Sequence, residues 1–180
     1  MPAPKISIKR ADVRFRNFAG APTKFNAKGG VRDFVIVLDN YEDIQQLIDM
    51  GFNLKYFNKK DPADPDVPFL KVKVNFRFDE ETGTKLISPH IYLVERDPSD
   101  PEKIVKKTLV TPSIAAIADN ADVEYYDVVI TPYRWEVNGN TGVAAYLDKM
   151  YMNLVIDEFE SKYEVWSDPE EDNAEPIPFE

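Results

Sequence analysis

The sequence predicts an all-β domain with one or two short helices, and three observations point there. Apolar and charged residues alternate with period two along several short stretches, which is the pattern of half-buried strands. Eleven Phe, nine Tyr and two Trp favour strands, and fourteen prolines with seven glycines mark frequent turns. Only residues 39–51 repeat their apolar positions at helical spacing. At 180 residues the chain is long enough to bury a core as one domain plus a tail.

The first strand reads from Val13-Arg14-Phe15-Arg16-Asn17-Phe18, with Val13 and Phe15 on one face and Arg14, Arg16 and Phe18 on the other. Gly29-Gly30 permits a tight reversal flanked by Lys24, Lys28 and Arg32, and residues 32–38 return as the hairpin partner, apolar on both faces. The helix over 39–51 has Asp39 or Asn40 as its cap, Glu42 and Asp43 at the positive end of its dipole, and Gly51 as its stop. A strand over 52–57 and a polar loop at 61–66 lead to the cleanest alternation in the chain: Leu70, Val72, Val74, Phe76 and Phe78 against Lys71, Lys73, Asn75 and Arg77. Further strands are expected at 91–95 and 123–137, the second meeting an edge or bulge at Pro132. Residues 98–107 read as a charged excursion and 112–119 as a short helix or turn. Residues 138–142 form a turn into a last strand over 143–156.

Inventory removes several chemistries. Cysteine is absent and His90 is the single histidine, which excludes thiol nucleophiles, disulfide frameworks and Cys/His zinc sites. No apolar run reaches the roughly 18–20 residues that span a bilayer, and Met1-Pro2-Ala3-Pro4 lacks the apolar stretch of a signal peptide, so a soluble intracellular protein is expected. Gly29-Gly30 is not followed by the Lys and Ser/Thr of a phosphate-binding loop. The acidic runs at 79–81 and 168–172 fall in a loop and in the tail, so a nuclease that holds a metal on carboxylates ranks low, and no enzyme and no cofactor are expected.

The formal net charge of −10 conceals an uneven distribution. Residues 1–32 hold eight basic side chains and one acid, whereas residues 157–180 hold ten acids and one base. A basic arm and an acidic tail on one chain make the overall charge a poor guide to partners. Three cationic rows occupy surface positions: Arg14 with Arg16, Lys24 with Lys28 and Arg32, and Lys71 with Lys73 and Arg77. Any one row reads equally well as a solvated strand face. Together, near Phe18, Phe25 and the run Tyr133-Arg134-Trp135, they offer charge for phosphates and rings for unpaired bases, although large aromatics more often serve a core.

Those residues resemble a known family, the single-stranded DNA-binding proteins of tailed bacteriophages. The resemblance rests on residues 13–20, on Asp127-Val128-Val129-Ile130-Thr131-Pro132-Tyr133-Arg134-Trp135, on Gly142-Val143-Ala144-Ala145-Tyr146-Leu147, and on a tail whose Ile177-Pro178-Phe179 is similar to the family's acidic tip, with Glu180 one residue beyond it. It implies an OB-fold-like small antiparallel barrel over residues 1–163 and a disordered acidic tail over 164–180. It further implies sequence-tolerant binding of single strands in phage DNA replication or recombination, in the cytoplasm of an infected host. In the tail, Asp168, Glu170, Glu171, Asp172, Ile177, Pro178 and Phe179 are expected to recruit replication or recombination partners, with no membrane involved. Monomer and dimer stay open. The main alternative is a β-domain component of a virion or tail.

Overall fold

The computed structural model describes residues 5–24, 26–58 and 60–156. Its strands are β1 (Ile6–Asn17), β2 (Asp33–Val37), β3 (Lys55–Tyr56), β4 (Pro68–Lys73), β5 (Arg77–Phe78), β6 (Leu86–Ser88), β7 (His90–Asp97), β8 (Asp100–Leu109), β9 (Val123–Val137) and β10 (Asn140–Leu154), with helices α1 (Tyr41–Asp49) and α2 (Ala115–Asp119). The main sheet runs β3-β4-β2-β1-β9-β10-β7-β8, and a parallel pairing of β4 with β10 closes β4, β2, β1, β9 and β10 into a five-stranded barrel. Antiparallel neighbours throughout, with one parallel contact closing the ring, are the topology of an OB-fold. The fold expected from the family resemblance is therefore present.

Alternation fills the barrel. Ile6, Ile8, Ala11 and Val13 of β1, Phe34 and Ile36 of β2, Leu70 and Val72 of β4, Val128 and Ile130 of β9, and Leu147, Met150 and Met152 of β10 are buried in one core. Leu47 of α1 and Ala115 and Ala118 of α2 join it. Asn40 caps α1 by accepting hydrogen bonds from the amides of Glu42 and Asp43, so the sequence-based boundary of that helix holds.

Four local readings are corrected. The alternation of β1 slips, because Arg10 and Phe15 adopt positive φ and the pairing register shifts beside each. Phe15 consequently points to solvent, 69% exposed, and Phe18 turns inward against Phe34. β4 ends at Lys73, and Arg77 and Phe78 belong to a separate two-stranded sheet with β6. The charged excursion is a strand, β8, paired along β7; its side chains are exposed on both faces through Lys107, so no period marks it. The final hairpin closes on two residues, Asn138 and Gly139, both at positive φ. At Pro132 the expected edge is found, since the pairing of β9 with β1 stops at Ile130.

Strand β10 changes neighbours along its length. Ala145 and Tyr146 pair with β4, and Lys149 to Asn153 pair with β7 after a register shift at Asp148. The β7–β8 hairpin thus continues the sheet outside the barrel, and the β9–β10 ladder carries one outer face from barrel to hairpin.

Candidate nucleic-acid interface

The outer face of the barrel is set by strand parity. Inward Val72, Ile130 and Leu147 leave Lys71 and Lys73, Thr131 and Tyr133, and Tyr146 pointing outward. Lys73 stands opposite Asp33 on one side and Tyr146 on the other, and Tyr146 stands opposite Thr131. The Lys73 ammonium lies 5.9 Å from the centre of the Tyr146 ring, and Tyr146 meets Tyr133 edge to face at 5.8 Å. These rings border a surface cavity of 370 Å³ that Asn75, Arg77 and Ser88 wall on the other side. Tyr133 is 58% exposed and Trp135, next along the same face, is 39% exposed. Trp135 lies against Gly142, where the absence of a side chain makes room for the indole. An aromatic strip with Lys73 and Arg77 at its margin can stack unpaired bases on its exposed rings and neutralise their phosphates.

Two loops frame this face, as they do in barrels of this topology. The β1–β2 loop, residues 18–32, is drawn together where the Gly30 amide donates to the Gly20 carbonyl at 2.7 Å; a Cβ on Gly29, at φ +72°, would come within 2.8 Å of that oxygen. Lys24 and Lys28 are exposed on the loop and make no salt bridge among the described residues. The β9–β10 hairpin is the second frame and presents Tyr133 and Trp135 on the strip, while Arg134, also exposed, points to the opposite face.

The structure separates the expected site residues into groups. Lys73, Arg77, Tyr133 and Trp135 come together on the strip. Lys71 reaches the edge of it but is paired with Asp33 at 3.3 Å, and Arg14 is held by both carboxylate oxygens of Asp12 at 3.2 and 3.0 Å. The Arg14 pair is exposed on both sides, and an exposed pair of this kind is weak enough to yield to a phosphate, whereas Asp33 is half-buried beneath the exposed Lys71. Arg32 donates to the Phe18 carbonyl at 2.8 Å and lies over Phe76, half-buried, so it holds the loop.

Two assignments are corrected. Phe18 is fully buried and meets Phe34 edge to face at 5.9 Å, so no base can stack on it. Arg16 donates to the carbonyls of Ala118 and Ala121 at 2.9 and 2.8 Å, which ties its charge to the C-terminal end of α2. Asp119 completes that junction, accepting from the amides of Phe18 and Ala19 at 2.6 and 3.0 Å. Phe25 and the tail residues Asp168, Glu170, Glu171, Asp172, Ile177, Pro178 and Phe179 lie outside the described residues.

Tyr146 and Asn75 are the site residues that sequence reading missed. A signal for Tyr146 existed: it alternates with Ala145 and Leu147 and so stands on the face of Tyr133 across a hairpin whose turn was recognised.

Among solved structures, the chain is similar to the single-stranded DNA-binding protein of bacteriophage Enc34 in complex with ssDNA, at 13% identity and a TM-score of 0.47, over 86% of this chain and 89% of that one. It is also similar to gp2.5, a single-stranded DNA-binding protein encoded by bacteriophage T7, at 14% identity and a TM-score of 0.40, over 92% and 96%. No curated protein matches it. Residues 2–175 match the family model described as "Putative phage ssDNA-binding domain", and the chain belongs to that family.

Proposed function

We propose that this protein binds single-stranded DNA without strong sequence preference in a phage replication or recombination system, and that it performs no catalytic step. The observation that carries the reading is the strip in which Lys73 stands over Tyr146, Tyr146 meets Tyr133, and Arg77 closes the cavity beside them. Membership of the phage ssDNA-binding family supports it. Rings provide faces that every base can use, and lysine and arginine provide charge that every phosphate can use, so affinity without sequence readout follows from the residue types. Lys24 and Lys28 add charge from the β1–β2 loop and Arg134 adds it on the opposite face of the β9–β10 hairpin, while Arg14 joins when phosphate replaces Asp12 and Lys71 lies beside the strip on its pair with Asp33.

Residues 1–163 form the binding unit in this reading, and residues 164–180 are an acidic tail that competes for the same cations and recruits partners through Ile177-Pro178-Phe179. The protein works in the cytoplasm of the infected host. Labelled oligo(dT), titrated with protein at several salt concentrations beside a duplex of equal length, tests the central claim. Affinity for the single strand should fall steeply with salt and greatly exceed that for duplex. Equal binding of both forms, or none at low salt, would refute it.

A further inference from the structure

The β7–β8 hairpin carries a second arrangement of rings and cations on the outer face. Tyr92 of β7 and Tyr151 of β10 stand opposite each other in register, with ring centres 5.5 Å apart and planes within 15°. His90 extends the row, 6.4 Å from Tyr92 and within 12° of its plane. The Lys107 ammonium lies 5.0 Å from the centre of the Tyr92 ring, and the Arg10 guanidinium 4.1 Å from that of Tyr125. Arg96 forms the floor: it is 8% exposed, pairs with Glu124, donates to the Leu154 carbonyl at 3.0 Å, and has an Nε with no acceptor among the described residues. Cavities of 460 and 500 Å³ open here and share Tyr125, Asp127 and Tyr151 as walls.

Rings this regular do not serve the barrel core, since Tyr92, Tyr125 and Tyr151 lie outside the core cluster and are half-buried on the outer face. The charge around them is mixed, with Lys9, Arg10 and Lys107 available to phosphates and Glu102 and Asp127 on the same walls. Arg10 and Lys107 sit at opposite margins, and the carboxylate of Asp127 between them already accepts the Arg10 amide at 3.0 Å. The patch is also in line with the strip on the barrel. Tyr146 and Tyr151 belong to the same strand, about 17 Å apart at the usual rise per residue, with Lys149 on the same face between them.

We propose that Tyr92, Tyr125 and Tyr151 form a second base-stacking surface, which takes the continuation of the same DNA single strand once it leaves the barrel. The proposal rests on the function argued above and adds to it: the binding site is longer than the barrel face, and the hairpin is part of it.

Length-dependent binding tests this with the full chain. An oligo(dT) of about 6 nucleotides fits within the range one barrel holds, and one of about 20 exceeds it. Tyr92→Ala with Tyr151→Ala should leave the short oligonucleotide unaffected and weaken the long one about tenfold or more, with Tyr92→Phe and Tyr151→Phe retaining affinity. Tyr133→Ala should weaken both lengths. Loss on both lengths or on neither from the hairpin pair overturns the second surface, whereas an indifferent Tyr133→Ala counts against the barrel strip instead. Photo-crosslinking of the unaltered chain to iodouracil-substituted oligonucleotides guards against a misfolded variant. Adducts at Tyr92, Tyr125 or Tyr151 with the long oligonucleotide alone support the surface, and adducts confined to residues 131–146 overturn it.

Discussion

The indole of Trp135 occupies the space that a side chain at Gly142 would need: a Cβ there would lie 2.6 Å from its Cε2 and 2.9 Å from its Nε1. The two residues are paired across the β9–β10 ladder, so the glycine decides how the indole sits on the strip. Gly142 has no positive φ, and its backbone would tolerate alanine.

Gly142→Ala therefore acts on the ring alone. It should displace Trp135 and weaken oligo(dT) binding about tenfold, the worth of one base–aromatic stack, with little change in melting temperature. In a Trp166→Phe background, Trp135 is the single tryptophan, and the shift of its emission reports the displacement. Unchanged emission and affinity would mean that the indole is already free of the strip.

The cations of the strip are separable from the core beneath them. Lys71→Ala with Lys73→Ala should lower affinity and reduce the slope of log K against log salt by about 1.4, one phosphate per lysine, at nearly constant melting temperature. Val72, between them and fully buried, behaves in the opposite sense: Val72→Asp places an unpaired charge in the core and should unfold the domain. Thermal melts and salt-titrated binding on the same preparations read both outcomes.

Arg16 makes the contrasting case. It satisfies two carbonyls at the end of α2, and part-buried charged hydrogen bonds of this kind make Arg16→Ala cost about 2 kcal/mol, or roughly 5 °C of melting temperature. The salt slope of DNA binding should not move. A reduced slope at unchanged stability would restore Arg16 to the DNA contacts.

These contrasts show what the sequence could and could not reveal. The barrel strands were legible wherever one face is buried and the other wet, as in Leu70, Val72 and Val74 against Lys71 and Lys73, and the site residues there followed from parity. Parity failed in β1, where residues at positive φ shift the count and exchange the roles of Phe15 and Phe18. A bulge leaves no mark in residue type when it falls on Phe15 or Arg10, which seldom adopt that conformation. Strand β8 was invisible for a different reason: a strand wet on both faces has no alternation to read. Arg14 and Arg16 look alike as letters, and only the position of Asp12 and the end of α2 tells a surface pair from a structural clamp.

Acid titration of Asp79 provides a final test, at the turn between β5 and β6 that follows Arg77. One oxygen of this carboxylate accepts from the amides of Lys85 and Thr84 at 2.8 and 3.1 Å, and the other from the amide of Thr82 at 3.0 Å, while the Thr82 hydroxyl donates to both. Donors that favour the ionised form, the Thr82 hydroxyl foremost, lower its pKa from 3.8 to about 2. The folded state therefore holds the proton more weakly than the unfolded chain. The stabilisation this gives is complete above pH 3.8 and fades as the pH falls toward 2, so the acid limb of stability is where it acts. Carbon-detected NMR of the side chain should find a midpoint near 2, and Asp79→Asn should differ in stability from the parent protein at neutral pH but converge with it at the acid end. A midpoint at the ordinary carboxylate value would show that the turn does not hold the carboxylate in solution. Because Arg77 enters the cavity from the strand that leads into this turn, loosening it should also weaken oligo(dT) binding at neutral pH, at a salt slope close to that of the parent, since no cation is lost.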